Sequence, residues 1–378
     1  MDDNNHHHHH LKFLANRELD ELYISIALRH FGLSMISIFV PIYLIKLDYS
    51  LFSVFLFLGL SNLVHALCVI PAAKMASRFG CKHTILFSIP VTILFFFMLY
   101  SLEVYHWPLY FLALVKGIYN SHYWLGYHMD FSTFTDKKNR GSEIGFANIV
   151  STIVQVLGPA LGGFILVFLG FKLLFAFVSV LLILSAIPLF FSKDGHSAFN
   201  FSIAGIFKGK KIRDYVGFSA YAVEGGINMA IWPLYIFFAV LNNYSTLGLV
   251  SSLSLFTSLI FSFFIGRLAD IKRKLLLKIG SFLNAVVWMI RTMVGTSLQV
   301  FAVDSLYGIT QTMVNIPFEV ICYDKAQKQG LFKFIIFREI MINFSRGLFY
   351  IIIAVISSLV IGLIFGGGTS LLIYFFAL

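Results

Sequence analysis

Apolar runs of about 20 residues, the length an α-helix needs to cross a membrane, recur along the whole chain and are separated by short polar segments. The runs are continuous and rich in Leu, Ile and Phe, whereas a membrane β-barrel needs shorter segments of alternating polarity. With 58% hydrophobic and only 12% charged residues, the chain also lacks the charged surface of a soluble domain. The pattern predicts a polytopic, all-α membrane protein.

Twelve spans are predicted, at residues 22–45, 50–71, 84–102, 107–131, 145–169, 171–191, 214–240, 245–266, 275–297, 299–321, 334–361 and 362–378. No cleavable signal peptide is expected, because the segment up to Glu21 is polar and acidic. Since 17 residues follow Ile361, the last helix is expected to be short and the carboxyl terminus truncated. The tract His6 to His10 is compatible with a tag remnant, a metal-binding tail or a low-complexity stretch.

The formal net charge of +10 is concentrated on one side of this topology, where 21 of the 28 lysines and arginines fall. The positive-inside rule therefore predicts a cytoplasmic location for both termini. No soluble basic face is present for nucleic acid, so the charge is interpreted as a topological signal. The predicted organisation is a leader at 1–21, a bundle at 22–191, a cytoplasmic linker at 192–213 and a second bundle at 214–378.

An internal repeat appears when the two halves are compared at an offset of about 192 residues. Phe-Val-Pro-Ile-Tyr at 39–43 then faces Ile-Trp-Pro-Leu-Tyr at 231–235, and Lys116-Gly117 faces Tyr307-Gly308. Six spans in each half leave the halves in the same orientation. The sequence therefore predicts two pseudo-symmetric six-helix bundles related by an axis along the membrane normal.

Two loop motifs resemble a signature of the major facilitator superfamily, and the resemblance covers about Leu19 to Leu378. After the eighth span the chain carries Gly266, Asp270 and Arg273 in the family's spacing. The copy after the second span keeps Arg78, Gly80 and Lys82 but has Ser77 in place of the aspartate. The resemblance implies twelve helices, secondary transport by alternating access and a cytoplasmic gate formed by these residues. The same charges are also compatible with a purely topological role.

The fifth span contains Gly158-Pro159-Ala-Leu-Gly162-Gly163. This segment is similar to the second half of a glycine-proline signature found in proton-coupled antiporters of the superfamily, with Val154 where a glycine is expected. Small residues four apart also permit close helix packing, and packing alone explains the motif nearly as well.

Ionisable residues inside spans are costly and indicate functional sites. Arg29, Lys116, Glu224 and Arg346 are predicted near mid-membrane, whereas Arg291 near a span end is expected to extend to the interface. Polar residues recur at helical spacing in three spans, namely Lys116, Asn120, Tyr123, Tyr127 and Asp130; Glu224, Asn228, Trp232 and Tyr235; and Asp304, Gly308, Gln311, Asn315 and Glu319. The resemblance implies that the first, fourth, seventh and tenth spans line a central cavity.

Three mid-membrane cations against one carboxylate favour an anionic organic solute. The candidate solute-binding residues are Arg29, Lys116, Asn120, Tyr123, Asn228, Trp232, Gln311, Asn315 and Arg346. Glu224, Asp130 and Glu319 are candidate proton-coupling residues. An ion pair of Glu224 with Arg29 or Arg346 is the alternative for that carboxylate, and structural hydrogen bonds are the alternative for the amides. Histidines within the spans are expected to be neutral packing residues.

The sequence therefore predicts a proton-coupled secondary transporter in the cell membrane, acting as a monomer on a small solute. A multidrug/proton antiporter remains the alternative because aromatic residues such as Trp124 accompany the polar stripes. From other classes, an intramembrane enzyme using His122 or His128 with Asp130, or a lipid carrier, stays open. No cofactor is expected, since no nucleotide-binding motif occurs. No metal site is expected, since three cysteines are too few and scattered.

Overall fold

The computed structural model describes residues 17–134, 140–191 and 203–378, with side chains at 24–130, 151–189 and 203–378. Within these residues the regular elements are helices and no strand occurs. The His6 to His10 tract and the first half of the predicted linker at 192–213 lie outside the described residues. Nine helical segments in this part of the chain are long and apolar enough to cross a membrane.

The amino-terminal half contains eight helices, of which two are short. They are α1 (Arg17–Ile36), α2 (Val40–Lys46), α3 (Leu51–Phe79), α4 (Cys81–Tyr100), α5 (Leu102–Tyr105), α6 (Leu109–Phe134), α7 (Arg140–Phe168) and α8 (Gly170–Phe191). The helices α1 and α2 follow one another along a single crossing.

The carboxyl-terminal half has a similar plan. Its helices are α9 (Ile212–Gly226), α10 (Trp232–Ile236), α11 (Tyr244–Arg291), α12 (Ser297–Gln329), α13 (Leu331–Ile356) and α14 (Leu359–Ile373). Turns of π-helix at Ile227–Ile231 and Phe237–Leu241 flank α10, and a 3₁₀ turn at Tyr374–Ala377 extends α14.

The helix α11 contains two crossings. It has 48 residues, which at about 1.5 Å per residue is more than twice the thickness of a hydrocarbon core, and its backbone departs from helical geometry at Lys272. The helices α6 and α12 are the two further crossings; they fall outside the nine apolar segments because they carry polar stripes. The prediction of twelve helices in two six-helix bundles is confirmed.

Several predicted boundaries are wrong because turn residues, rather than hydropathy, end the helices. Helix α3 continues to Phe79, eight residues beyond the predicted end, and stops at Gly80, whose φ of 97° favours glycine. Helix α13 stops at Ser357 in a left-handed conformation, so the last helix begins at Leu359. The last helical segment is therefore 19 residues, Leu359–Ala377, and long enough to cross a membrane.

The repeated proline motif has the same structural effect in both halves. Pro41 lies at the start of α2, directly after a turn that interrupts the first crossing. Pro233 lies at the start of α10, directly after the π-helical turn Ile227–Ile231. Proline lacks a backbone N–H and is tolerated at the first turn of a helix, so each motif restarts a helix after a break. The two halves share this interruption at equivalent positions.

The glycine-proline segment of α7 is a close-packing surface. A Cβ atom at Gly162 would overlap the carbonyl oxygen of Met35 in α1, and one at Gly163 would overlap that of Tyr244 in α11. In return, a Cβ atom at Gly248 of α11 would overlap the carbonyl oxygen of Pro159. The motif therefore brings the backbones of α1 and α11 against α7 from two sides, and α7 joins the two halves.

The halves contact each other at both ends of the bundle. We call the end that carries Lys74, Arg78, Lys274 and Lys328 the basic end. There, small residues of α3 from Ala72 to Ala76 share a buried apolar cluster with Phe334 to Phe337 of α13. At the opposite end, rings from the two halves pack together, with centroids 6.1 Å apart for Phe39 and Tyr244 and 5.9 Å apart for Phe55 and Tyr350.

Candidate functional site

Arg29 in α1 is a buried cation with unsatisfied donors. Its side chain is 2% exposed. One terminal nitrogen donates a long hydrogen bond of 3.4 Å to Thr92, and the guanidinium lies 3.8 Å from the ring centroid of Tyr123. The Nε and Nη1 atoms have no hydrogen-bond partner among the described residues. Buried donors are normally paired, so the unpaired N–H groups of Arg29 indicate a ligand that accepts hydrogen bonds.

Aromatic residues and His30 surround this cation. The Tyr123 hydroxyl lies 3.0 Å from His30 Nε2, and the rings of Trp124 and Tyr127 lie within 6.5 Å of the His30 ring. His30 Nδ1 also contacts the hydroxyl of Ser151 in α7. His30 thus joins α1, α6 and α7 through hydrogen bonds beside Arg29.

Lys116 and Arg346 bring two further cations to the boundary between the halves. The Lys116 ammonium is half-buried and lies 5.1 Å from the Phe57 ring centroid. Arg346 Nε donates a 3.0 Å hydrogen bond to the backbone oxygen of Ala222. Among the described residues, neither of these side chains nor Arg29 forms an ion pair with a carboxylate. These three cations therefore lack a carboxylate counter-charge in the described part of the chain.

Glu224 in α9 is fully buried and surrounded by neutral donors. Its Oε1 atom accepts hydrogen bonds from Asn284 at 2.9 Å, Trp288 at 2.9 Å and Tyr307 at 3.0 Å. Its Oε2 atom accepts one from Gln311 at 3.3 Å. These four donors stabilise a carboxylate without fixing it in an ion pair.

The alternative of an ion pair between Glu224 and Arg29 or Arg346 is absent from the described residues. Instead, Glu224 begins a chain of amides. Gln311 donates to Glu224 and also to Asn315 at 3.2 Å, one turn nearer the basic end. The polar stripe of α12 thus runs from Gln311, which donates to Glu224, toward Glu319.

Arg291 does not extend to the interface, so that prediction is wrong. The side chain is 1% exposed and forms an ion pair with Asp304 of α12. Its guanidinium lies over the rings of Trp232 and Tyr307, and it donates to Asn228 at 3.1 Å. The Trp232 indole donates to the Asp304 carboxylate at 2.9 Å. Two predicted solute-binding residues, Asn228 and Trp232, therefore belong to a hydrogen-bond network inside the carboxyl-terminal half, in which Arg291 Nε has no partner among the described residues.

The loop motifs lie at the basic end, where Asp270 and Arg273 are not paired with each other among the described residues. Among the described residues Asp270 is exposed and has no ion-pair partner, and Arg273 pairs with Asp324 of α12 instead. Gly80 forms the tight turn between α3 and α4, and Lys82 beside it is buried. Arg78 lies at the end of α3 with its guanidinium 5.3 Å from the Phe79 ring centroid, while Gly266 in α11 has open space beside it.

Sequence reasoning missed an ionisable pair in the eleventh span, Arg338 and Glu339. Both are buried, at 6% and 4% exposure. Arg338 pairs with Glu319 at 2.5 Å, so Glu319, a predicted proton-coupling residue, is held in an ion pair. Asp130 on α6, another candidate for that role, is buried. Two adjacent ionisable residues within an apolar run were the available signal. The remaining predicted residue, Asn120, is half-buried on the stripe of α6.

No group of three potential metal ligands occurs among the described residues. His122 and His128 have separate surroundings. The first contacts the backbone oxygen of Ile118, and the second contacts Arg338. This separation agrees with their positions on different faces of α6.

Comparison with known proteins supplies the family. A family model described as Major Facilitator Superfamily matches residues 22–207. A structure of a variant of the E. coli fucose:proton symporter FucP has a TM-score of 0.69 at 10% identity and covers 95% of this chain and 97% of that chain. A structure of FucP in the outward conformation has a TM-score of 0.69 at 9% identity with the same coverage. A search of curated proteins found no match.

The family match covers the amino-terminal half, and the likeness of fold extends over both halves. The twelve helices, the proline break shared by the halves and the contacts of α7 with α11 fit the same assignment. Residues 22–207 therefore belong to the major facilitator superfamily, and the chain as a whole has the fold of the two FucP structures.

Proposed function

We propose that this integral membrane protein is a proton-coupled secondary transporter for a small organic anion. Membership of a superfamily of transporters for small solutes makes it a transporter rather than an enzyme. The anionic solute and the proton are the steps beyond that membership. The observation that supports the solute class is Arg29, a buried guanidinium whose Nε and Nη1 atoms have no acceptor in the part of the chain that the structure describes.

A carboxylate or phosphate group suits this environment. A guanidinium offers donors in a planar fork that binds two oxygens of such a group at once. Lys116 and Arg346 add positive charge at the boundary between the halves, without a carboxylate partner among the described residues. A lipophilic cation, which the multidrug alternative requires, would be repelled by these three charges. The rings of Tyr123 and Trp124 provide apolar contact for the body of an organic anion.

Glu224 is the proposed proton-coupling residue. Its carboxylate is fully buried, and its hydrogen-bond donors are neutral, so a proton can bind without breaking an ion pair. Binding of a proton to Glu224 removes a negative charge from the carboxyl-terminal half. In this proposal the solute and the proton bind to separate groups. Arg29 of the amino-terminal half binds the solute, and Glu224 of the carboxyl-terminal half binds the proton.

The proposed topology places the basic end in the cytoplasm, with the protein in the cell membrane. Alternating access follows from rocking of the two halves about the region between their contacts at the two ends. The contacts of Phe39 with Tyr244 and of Ala72 with Phe334 lie on either side of that region.

The test is the substitution Arg29→Gln. Arg267→Gln is the matched control, because Arg267 is an exposed arginine of α11. Removing a charged hydrogen-bond donor costs about 1.5–3 kcal/mol, so affinity for organic anions should fall about 10- to 100-fold. Thermal shift of the purified protein, measured against a panel of carboxylates, phosphates, neutral analogues and lipophilic cations, gives the comparison.

The control variant should bind anions as the unmodified protein does. Equal weakening of neutral and anionic solutes in Arg29→Gln would contradict the role of the cation. Stabilisation of the unmodified protein by lipophilic cations alone would overturn the anion proposal and favour the multidrug alternative.

A further inference from the structure

Between Glu224 and the basic end, ionisable side chains from both halves meet in a buried cluster. His65 of α3 and His128 of α6 come from the amino-terminal half. The His65 Nε2 atom lies 3.5 Å from Glu339 Oε2, and the His128 Nε2 atom lies 3.6 Å from Glu339 Oε1. The exposed fractions of these three residues are 4%, 8% and 4%. One carboxylate of α13 thus faces two histidines across the boundary between the halves.

The contribution of the carboxyl-terminal half to this cluster has a negative net charge. Arg338 pairs with Glu319 at 2.5 Å and with Glu339 at 2.8 Å. One guanidinium therefore faces two carboxylates, which leaves one negative charge uncompensated within the pair network. A buried uncompensated charge is unfavourable, and one additional positive charge would neutralise it.

His128 is not the source of that charge. Arg338 Nη1 lies 2.7 Å from His128 Nε2, and an arginine can only donate, so this ring nitrogen is an acceptor. The other ring nitrogen, Nδ1, lies 3.0 Å from the Tyr323 hydroxyl. A proton on His128 Nε2 would point at the guanidinium and break the contact. His128 is therefore neutral and holds Arg338 across the boundary.

His65 differs from His128 in its hydrogen-bond donor, which is a neutral amide in place of a guanidinium, although the Nε2 atoms of both histidines lie near Glu339. Its Nε2 atom faces the Glu339 carboxylate and the Asn343 amide, which lies 3.3 Å away. A neutral His65 accepts a hydrogen bond from the amide and turns a lone pair toward the carboxylate. A protonated His65 forms an ion pair with Glu339 and neutralises the cluster. The groups that act on His65 are Glu339 and Arg346 of α13 and, from α6, His122 and His128.

We propose that His65 and Glu339 form a second proton-binding site, separate from Glu224, which links the two halves only when a proton is bound. The ion pair joins α3 to α13 where the apolar cluster of Ala72 and Phe334 already brings these helices together. Loss of the proton leaves an unpaired carboxylate and weakens the contact between the halves. Acid pH therefore favours closure of the basic end, and alkaline pH favours its opening. The proposal concerns closure in the absence of solute and does not depend on which solute is carried.

The experiment measures the separation of the halves at the basic end. Spin labels are attached at Lys74→Cys in α3 and Lys333→Cys in α13, two exposed positions, after Cys68, Cys81 and Cys322 are replaced by serine. Pulsed dipolar EPR of the full chain in nanodiscs without solute is recorded at pH 5.5 and pH 8. We expect the short-distance population to increase at pH 5.5. An identical distribution at both pH values would overturn the proposal.

Two variants assign the response to the pair. His65→Gln and Glu339→Gln should each abolish the pH-dependent shift, whereas His122→Gln, which changes a histidine bonded to its own helix backbone, should retain it. A folded sample is defined by a single size-exclusion peak. If His65→Gln does not fold, Glu339→Gln carries the test. A shift that persists in a folded pair variant would overturn the assignment.

The EPR experiment distinguishes the His65–Glu339 site from the proton-coupling site proposed at Glu224. Glu224→Gln should keep the pH-dependent distance shift even though proton-driven accumulation is lost. A shift that disappears in Glu224→Gln and persists in His65→Gln would place the proton at Glu224 alone. Arg29→Gln should leave the shift unchanged, whatever its effect on solute affinity.

Discussion

At the residue scale, the buried charged side chains of the two halves differ in their hydrogen bonds and ion pairs. Glu224 receives four hydrogen bonds, and Arg291 is enclosed by Asp304, Asn228 and aromatic rings. Arg29 has one long hydrogen bond and two donors without acceptors. Arg291 Nε also lacks a partner among the described residues, so incomplete hydrogen bonding occurs in both halves. The difference is in charge, because Arg291 pairs with Asp304 whereas Arg29 has no carboxylate partner in the described part of the chain.

Glu224→Gln should abolish accumulation of solute driven by a proton gradient and leave counterflow exchange intact. Glutamine keeps an acceptor oxygen for the donors of the site but cannot bind and release a proton at neutral pH. Transport into proteoliposomes, with and without an imposed pH gradient, measures both activities.

Glu103→Gln is the matched control, since Glu103 is an exposed carboxylate paired with Lys172 at 2.8 Å. Gradient-driven accumulation that survives in Glu224→Gln would rule out the coupling role.

The sequence predicted which residues share a helix face but not which helices meet. Helical spacing placed Gln311 and Asn315 on one side of α12, and the structure joins them. The donors from Asn284 and Trp288 come from a neighbouring helix, whose rotation the sequence pattern does not define. For the same reason, the sequence could not show whether the side chain of Arg291 extends to the membrane interface or is buried between helices.

At the element scale, neighbouring glycines of one motif have different partners. Gly162 faces Met35 within the amino-terminal half, and Gly163 faces Tyr244 in the other half. A side chain at the first position disturbs packing that persists through the transport cycle. A side chain at the second position disturbs only the state in which the halves meet at the end opposite the basic end.

Gly162→Ala should therefore lower the thermal unfolding temperature, because overpacking against a backbone oxygen costs about 1–3 kcal/mol. Gly163→Ala should change it less and should increase labelling by a membrane-impermeant reagent of a cysteine introduced at that end. Gly266→Ala, where a Cβ atom has open space, is the control for both measurements. Equal destabilisation by the substitutions at 162 and 163 would refute the distinction.

Hydropathy predicted the number of helices but not where they end. The apolar runs mark the membrane core, whereas Gly80 and Ser357 set the ends of α3 and α13 through their backbone conformations. The kink at Lys272 similarly lies in a basic segment that the sequence treats as a loop, while the helix continues almost without interruption. Local turn geometry leaves little trace in an average over 20 or so residues.

At the scale of the whole molecule, the proposed orientation in the membrane rests on the asymmetry of charge. A cysteine at Lys274, on the basic end, should react with an impermeant thiol reagent only in inverted membrane vesicles. A cysteine at Met293, in the exposed turn after α11, should react in intact cells. Both are introduced after the three native cysteines are replaced by serine. The reverse pattern would invert the proposed topology.

The duplicated architecture was predictable because it leaves weak but ordered signals across the sequence. The motifs at 39–43 and 231–235 lie at matching breaks in the two halves. The contacts between the halves were not predictable, since they join residues such as His65 and Glu339 that no local pattern connects.

The incomplete hydrogen bonding of Arg29 has a consequence for how energy enters the cycle. An anionic solute that supplies the missing acceptors would give Arg29 the counter-charge it lacks among the described residues, whereas Arg291 in the other half already pairs with Asp304. The two bundles, although built on one plan, are then not interchangeable in function. In the proposed cycle, Arg29 of one half binds the solute and Glu224 of the other half binds the proton, so the two copies of the duplicated plan would carry different tasks within a single chain.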